Sequence, residues 1–152
     1  MSEDELRELL GEYLTLLQRH PTAEEMMAAV LTADFETGFE DGVRWKGIGG
    51  LRDFLSQRAG FFDEHHEVKD VLELDETSED DVRARTRLEF FLRRWESPSP
   101  TSEEFTGACF HAWRLHRAPD RWRVAAQIVE RFEDLNENSQ RLFATPDEGL
   151  NR

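Results

Sequence analysis

Two adjacent histidines, His65 and His66, sit inside FFDEHHEVKDVLEL (residues 61–74), with acidic residues on both sides. An imidazole titrates near neutral pH, which suits proton transfer as well as metal ligation. Extended backbone sends consecutive side chains to opposite faces. His66 then shares a face with Val68, Leu72 and Leu74, whereas His65 points away beside Glu67. One strand cannot offer the pair to a single metal ion, and neither HxH nor HExxH spacing occurs. No metal site is expected; only convergence of His66 with His111 from another strand could make one. His66 reads either as a pocket base or as a polar group hydrogen-bonded to backbone or water.

His111 shares a strand face with Cys109, Trp113 and Leu115. Beside a tryptophan it could orient or protonate a carbonyl-bearing ligand, or it could be a satisfied core histidine. Cys109, the only cysteine, has no activating base in its own strand and reads as a small core residue. The glycines of GIGG (residues 47–50) fit a tight helix entry better than a phosphate cradle, because Arg52 stands where the last glycine of a dinucleotide motif belongs. Arg83, Arg85, Arg87 and Glu89 fit cross-strand ion pairing.

These residues need elements to hold them. Ser2 and Glu5 match a capping box, and Leu6, Leu9, Leu10, Tyr13 and Leu17 recur at helical spacing up to His20-Pro21. Thr22 and Glu25 repeat the cap ahead of a short helix that buries Met26, Met27, Val30 and Leu31. From Asp34 to Trp45 the Asp41-Gly42 step signals a hairpin. Leu51, Phe54, Leu55 and Arg58 mark a third helix ending by Phe62. From His66 onward the pattern is β: one strand to Leu74, then Val82–Trp95, Phe105–Arg117 and Trp122–Phe132.

In the last strand Trp122, Val124, Ala126, Ile128 and Phe132 form one set, while Ala125 and Val129 interrupt the charges of the other. Apolar residues on both faces predict a homodimer through the outer sheet face. After Asn136 the chain turns polar and is expected to be frayed or loosely docked.

The chain has 152 residues and a formal net charge of −14, which repels a phosphate backbone and an anionic membrane. Neither nucleic acid nor membrane is expected as a partner. With 38% hydrophobic and 11% aromatic residues, a folded core is expected despite 34% charged residues. The acidic start MSEDELRELL is unlike a signal peptide, and no apolar run reaches membrane-spanning length. A cytoplasmic protein is expected.

Helix, helix, hairpin, helix and a strand meander make an α+β arrangement. In that order, DFETGFEDGVRWKGIGGLRDFL, His66 opening HEVKDVLEL, Ala84, and Trp122 with Val124 in DRWRV are similar to the nuclear transport factor 2-like superfamily. Within it the chain resembles the SnoaL-like group over roughly residues 5–134.

The resemblance implies a cone-shaped, curved mixed sheet wrapped around three helices of the N-terminal half, with a pocket between them. It implies one SnoaL-like domain over residues 1–135 and a polar tail over 136–152. A small apolar or aromatic metabolite would sit against Trp45, Leu88, Phe90 and Trp113. If the protein is catalytic, cofactor-independent isomerisation, dehydration or cyclisation follows. His66 would then be the base, Asp34 would orient it or share its proton, and His111 would stabilise an oxyanion. Asp34 otherwise caps the hairpin locally, the reading its position favours. The other reading is a noncatalytic ligand- or protein-binding module. Tyr13, the sole tyrosine, lies in the first helix and not where a ketosteroid isomerase needs one.

Overall fold

Helix α1 (Glu3–Gln18) opens on its capping box: Ser2 Oγ accepts the Glu5 N–H at 3.1 Å, and the Ser2 N–H donates to Glu5 Oε1 at 3.1 Å. Such a cap contributes about 1 kcal/mol. Leu6 and Leu10 are wholly buried, and each contributes roughly 1.5–3 kcal/mol. Packing therefore outweighs capping in holding α1. The structure, a computed structural model, describes residues 1–143.

Helix α2 (Ala23–Ala29) is capped by Thr22, whose Oγ1 accepts the Glu25 N–H at 3.1 Å. Strand β1 (Leu31–Phe39) starts almost at once, three residues ahead of the expected Asp34. It pairs as a hairpin with β2 (Arg44–Lys46), and α3 (Gly47–Gln57) follows directly. Gly50 lies against Trp45, where a Cβ would come within 2.8 Å of the Trp45 carbonyl carbon. The glycine run thus lets α3 pack closely on the strand before it.

The remaining strands are β3 (Phe61–Glu76), β4 (Asp81–Arg94), β5 (Glu103–Arg117) and β6 (Trp122–Glu133). They form one curved six-stranded sheet in the order β2-β1-β6-β5-β4-β3. Only β1 and β6 run parallel, so the sheet is mixed.

Strand β4 alternates without interruption. Val82, Ala84, Thr86, Leu88, Phe90 and Leu92 are buried, while Arg85 and Arg87 pair outside with Glu73, Glu130, Glu89, Glu133 and Asp134. Exposed pairs of this kind contribute about 0–1 kcal/mol each, so this face is ordinary cross-strand pairing.

Strand β3 does not alternate simply. Its register against β4 shifts between Phe62 and His65, between Val68 and Asp70, and between Val71 and Glu73. Each shift adds a residue to β3 and reverses the faces beyond it. Val71 pairs with Thr86 and turns inward, while Leu72 is 53% exposed. The expected face of Val68, Leu72 and Leu74 is therefore corrected to Val68, Val71 and Leu74. Arg7 of α1 caps the second bulge, donating to the carbonyls of Val68 and Lys69 at 3.1 and 3.3 Å.

Strand β6 shifts register twice against β5, around Ala125 and Glu130. Val124 packs in the core, but Gln127, Val129 and Phe132 line the cavity described below. Ala126 and Ile128 thus leave the inward set that unbroken alternation predicts.

The expected loose tail begins instead with helix α4 (Glu137–Phe143). Asn136 Oδ1 accepts the Ser139 N–H at 2.9 Å, Leu142 is buried, and Phe143 stacks on Phe132 at 4.5 Å. Gly107 clears the path into α4, because a Cβ there would stand 2.5 Å from Leu135 Cδ2 and 3.3 Å from its Cα. The rest of the expected tail lies outside the described residues. Among those residues, no helix is long and apolar enough to cross a membrane.

Candidate functional site

A cavity of about 110 Å³ lies between the concave side of the sheet and helices α1, α3 and α4. Its apolar walls include Leu14, Trp45, Phe54, Leu88, Phe90 and Phe143. Five polar side chains interrupt them: Thr37, Arg58, His66, His111 and Gln127.

His66 is held by the last turn of α1. Gln18 Oε1 accepts the backbone N–H of His66 at 2.8 Å and faces its ring Nδ1 at 3.0 Å. An atom that accepts a backbone N–H must be the amide oxygen, so Nδ1 carries the ring proton. Nε2 keeps its lone pair. Burial, with Arg58, His111 and His65 adding to it, lowers the imidazole from its ordinary value to about 3. His66 is neutral at pH 7 and accepts at Nε2.

His111 is 4% exposed and has the opposite polarity. Its Nε2 lies 3.2 Å from Gln127 Nε2 and 3.5 Å from Cys109 Sγ. Gln127 Oε1 in turn accepts the Tyr13 hydroxyl at 2.5 Å, which turns the amide N–H toward the imidazole. Nε2 therefore accepts, and the ring proton sits on Nδ1, a buried atom without a protein partner. Burial lowers His111 to about 4. The site holds one neutral imidazole that accepts and one that donates.

Burial pushes the Cys109 thiol up to about 12, which leaves it protonated and inert as a nucleophile. The Tyr13 hydroxyl is likewise pushed up by burial and committed to Gln127. Thr37 Oγ1 donates to the Gln127 carbonyl at 3.0 Å and fixes the strand carrying that amide.

Arg58 follows the last residue of α3. Its guanidinium pairs through Nη2 with Glu64 Oε1 and lies 5.8 Å from the Phe54 ring. The wholly buried carboxylate's other oxygen, Glu64 Oε2, is 2.8 Å from His20 Nε2 without hydrogen-bond alignment.

Of the residues singled out from sequence, His66, His111, Trp45, Leu88 and Phe90 come together around the cavity. Asp34 does not. It lies exposed on β1 and accepts the Thr32 hydroxyl at 2.7 Å. Phe35 is the residue turned into the core there, because β1 is irregular between Leu31 and Glu36. Asp34 is a local strand-edge acceptor, and Gln18 stands behind His66 in its place.

Trp113 is also corrected. It is outside the cavity lining, meets the His111 ring edge-on at 5.5 Å and donates Nε1–H to Thr86 Oγ1 at 2.8 Å. Its work is to brace His111. His65 is exposed beside Glu67, and among the described residues no three His, Cys, Asp or Glu side chains gather as a metal site.

Sequence reading missed Arg58, Gln18 and Gln127 as parts of the site. Arg58 had a signal: it occupies the apolar stripe of α3, four residues after Phe54, where a charge needs a buried partner. Gln127 had none, because the bulge in β6 decides which way it faces.

The model of the SnoaL-like domain matches residues 1–127. This chain belongs to the SnoaL-like family. Solved structures share the fold of this SnoaL-like protein at low identity. One, from Novosphingobium aromaticivorans and provisionally assigned as a scytalone dehydratase, is 15% identical. The match covers 87% of this chain and 84% of that one, with a TM-score of 0.70. A hexachlorocyclohexane dehydrochlorinase of LinA type 3 from Novosphingobium barchaimii is 16% identical, with 86% of each chain covered and a TM-score of 0.67. A protein from Kribbella flavida is 14% identical, covering 86% of this chain and 89% of that one, with a TM-score of 0.70. No curated protein matches the chain.

Proposed function

We propose that this SnoaL-like protein binds a small metabolite in the His66–His111 cavity and transforms it by cofactor-independent acid–base chemistry. The observation behind the reading is the pairing of opposite roles in one cavity. His66 is tied at Nδ1 and keeps the Nε2 lone pair, while His111 is tied at Nε2 and keeps an unpartnered Nδ1–H.

A proton taken at His66 Nε2 from a carbon beside a carbonyl would leave negative charge on the oxygen. The His111 Nδ1–H is the group to receive that charge, and a neutral donor does so without losing its proton. Isomerisation, dehydration and cyclisation all contain such a step. Two of the structural neighbours bear names that denote eliminations, a dehydratase and a dehydrochlorinase. A cavity of about 110 Å³ limits the ligand to roughly one ring.

The deciding experiment screens small cyclic carbonyl compounds for binding by NMR, then for proton exchange or turnover. Binding with exchange that His66→Gln abolishes, while binding persists, is the expected result. Exchange that survives His66→Gln would remove the mechanism.

A specific observation favours a second reading, ligand binding without chemistry. The group behind His66 is a neutral amide, and a carboxylate there would have strengthened the base. Binding without exchange would establish that reading.

We also propose a homodimer through the outer sheet face. Ala112 and Ile128 are cross-strand partners on the parity opposite to His111 and Trp113, giving that face an apolar centre.

A further inference from the structure

Arg58 is 6% exposed, lines the cavity together with His66 and His111, and is only partly satisfied by the protein. Nη2 is used by Glu64, while Nη1 is buried with no protein partner. A guanidinium stays charged at all ordinary pH, and its planar fork matches a carboxylate. Leaving a charged N–H unpaired in the interior is costly, so a cavity that keeps one is suited to an anionic guest.

Glu64 engages only Nη2 of this guanidinium, and its other oxygen faces His20 Nε2 at 2.8 Å, leaving Nη1 unpartnered. Among the residues lining the cavity there is no Asp or Glu, and nothing there repels an anion directly. Leu88, Phe90 and Trp45 supply the apolar remainder of the chamber.

We propose that Arg58 anchors the carboxylate of a small cyclic organic acid through Nη1, which makes the ligand of this cavity an anion and not a neutral apolar compound. The inference rests on the acid–base reading of the same cavity and adds the ligand's chemical class. The arrangement also links binding to reactivity. After burial, the Arg58 charge is the next largest cause that holds His66 low. A bound carboxylate offsets that charge, so the imidazole gains basicity when the ligand is in place.

The test compares cyclopentanecarboxylate with cyclopentylmethanol, similar in size and differing in charge, followed by two-dimensional NMR titration of the full chain. The variant is the double change Arg58→Gln with Glu64→Gln, which removes the cation without stranding the buried carboxylate. Wild type is expected to bind the acid at least about tenfold tighter than the alcohol, with shifts at His111 and Arg58. The double variant is expected to lose that preference while its affinity for the alcohol stays the same. Equal affinity of wild type for acid and alcohol, with shifts in the cavity, would overturn the Arg58 assignment and leave the pocket reading standing. Absence of cavity shifts with either probe would remove the pocket reading and this inference together. If the double variant does not fold, Arg58→Lys decides, since it keeps the charge but loses the fork. A lowered preference supports the assignment, and an unchanged one overturns it.

Discussion

The amide oxygen of Gln18 receives two hydrogen bonds from one residue, His66: the backbone N–H at 2.8 Å and the ring Nδ1–H at 3.0 Å. This double contact joins the end of α1 to the second residue past the first bulge of β3 and selects the tautomer of the imidazole. Gln18→Leu leaves both donors without their partner. It is expected to cost about 1–3 kcal/mol, measured by urea unfolding at pH 7. Gln18→Glu is expected to raise the His66 pKa, since a carboxylate favours the imidazolium. A ¹⁵N titration of the ring reads this directly.

Acid should destabilise the protein through its two cavity histidines. Their folded pKa values, about 3 for His66 and about 4 for His111, lie below the roughly 6.5 of an unfolded chain. The unfolded state thus binds more protons below pH 6.5. The stability is fully present above that pH and is lost on acidification toward 4 and 3. Each histidine contributes a slope of about 1.4 kcal/mol per pH unit within its window. His111→Asn should flatten the stability profile between pH 6 and 4.5, and an unchanged profile would contradict the buried neutral assignment.

Phe143→Ala should enlarge the cavity at its α4 side. Loss of the stack on Phe132 and the edge contact with Phe90 at 5.9 Å is expected to cost about 1–3 kcal/mol, below the range for a fully buried phenylalanine. Thermal unfolding measures the cost. Ligands one ring larger than those accepted by wild type should then bind, and NMR titration would show it.

The outer face predicts association. Sedimentation should return a mass of about twice 17.8 kDa at micromolar concentration. Ile128→Arg, which puts a charge in the apolar centre of that face, should return a monomer with the fold intact.

How much of this was legible depends on where the backbone keeps its period. β4 pairs residue for residue with β5, and its inward set from Val82 to Leu92 follows from counting by twos. β3 and β6 each carry bulges, and one inserted residue exchanges the faces. That exchange hid Val71 and Gln127 and misplaced Leu72, Ala126 and Ile128. His66 was readable because it follows the first bulge of β3 at even spacing from Val68. Arg58 stood on an apolar helical stripe, where its charge was visible but its partner Glu64, across the turn, was not. Asp34 had no periodic context, and its short bond to Thr32 is local chemistry that composition does not reveal.

Helix α4 begins ten residues after the end of the stretch matched by the SnoaL-like domain model, yet its Phe143 forms one wall of the cavity. The chamber is therefore closed on one side by a helix that lies past the matched stretch. Strands and helices up to residue 127 carry the histidines, Gln127 and Arg58, while the seven residues of α4 trim the space these groups act on. Ligand size can therefore be changed within those seven residues alone, without disturbing strand register or the proton-handling groups.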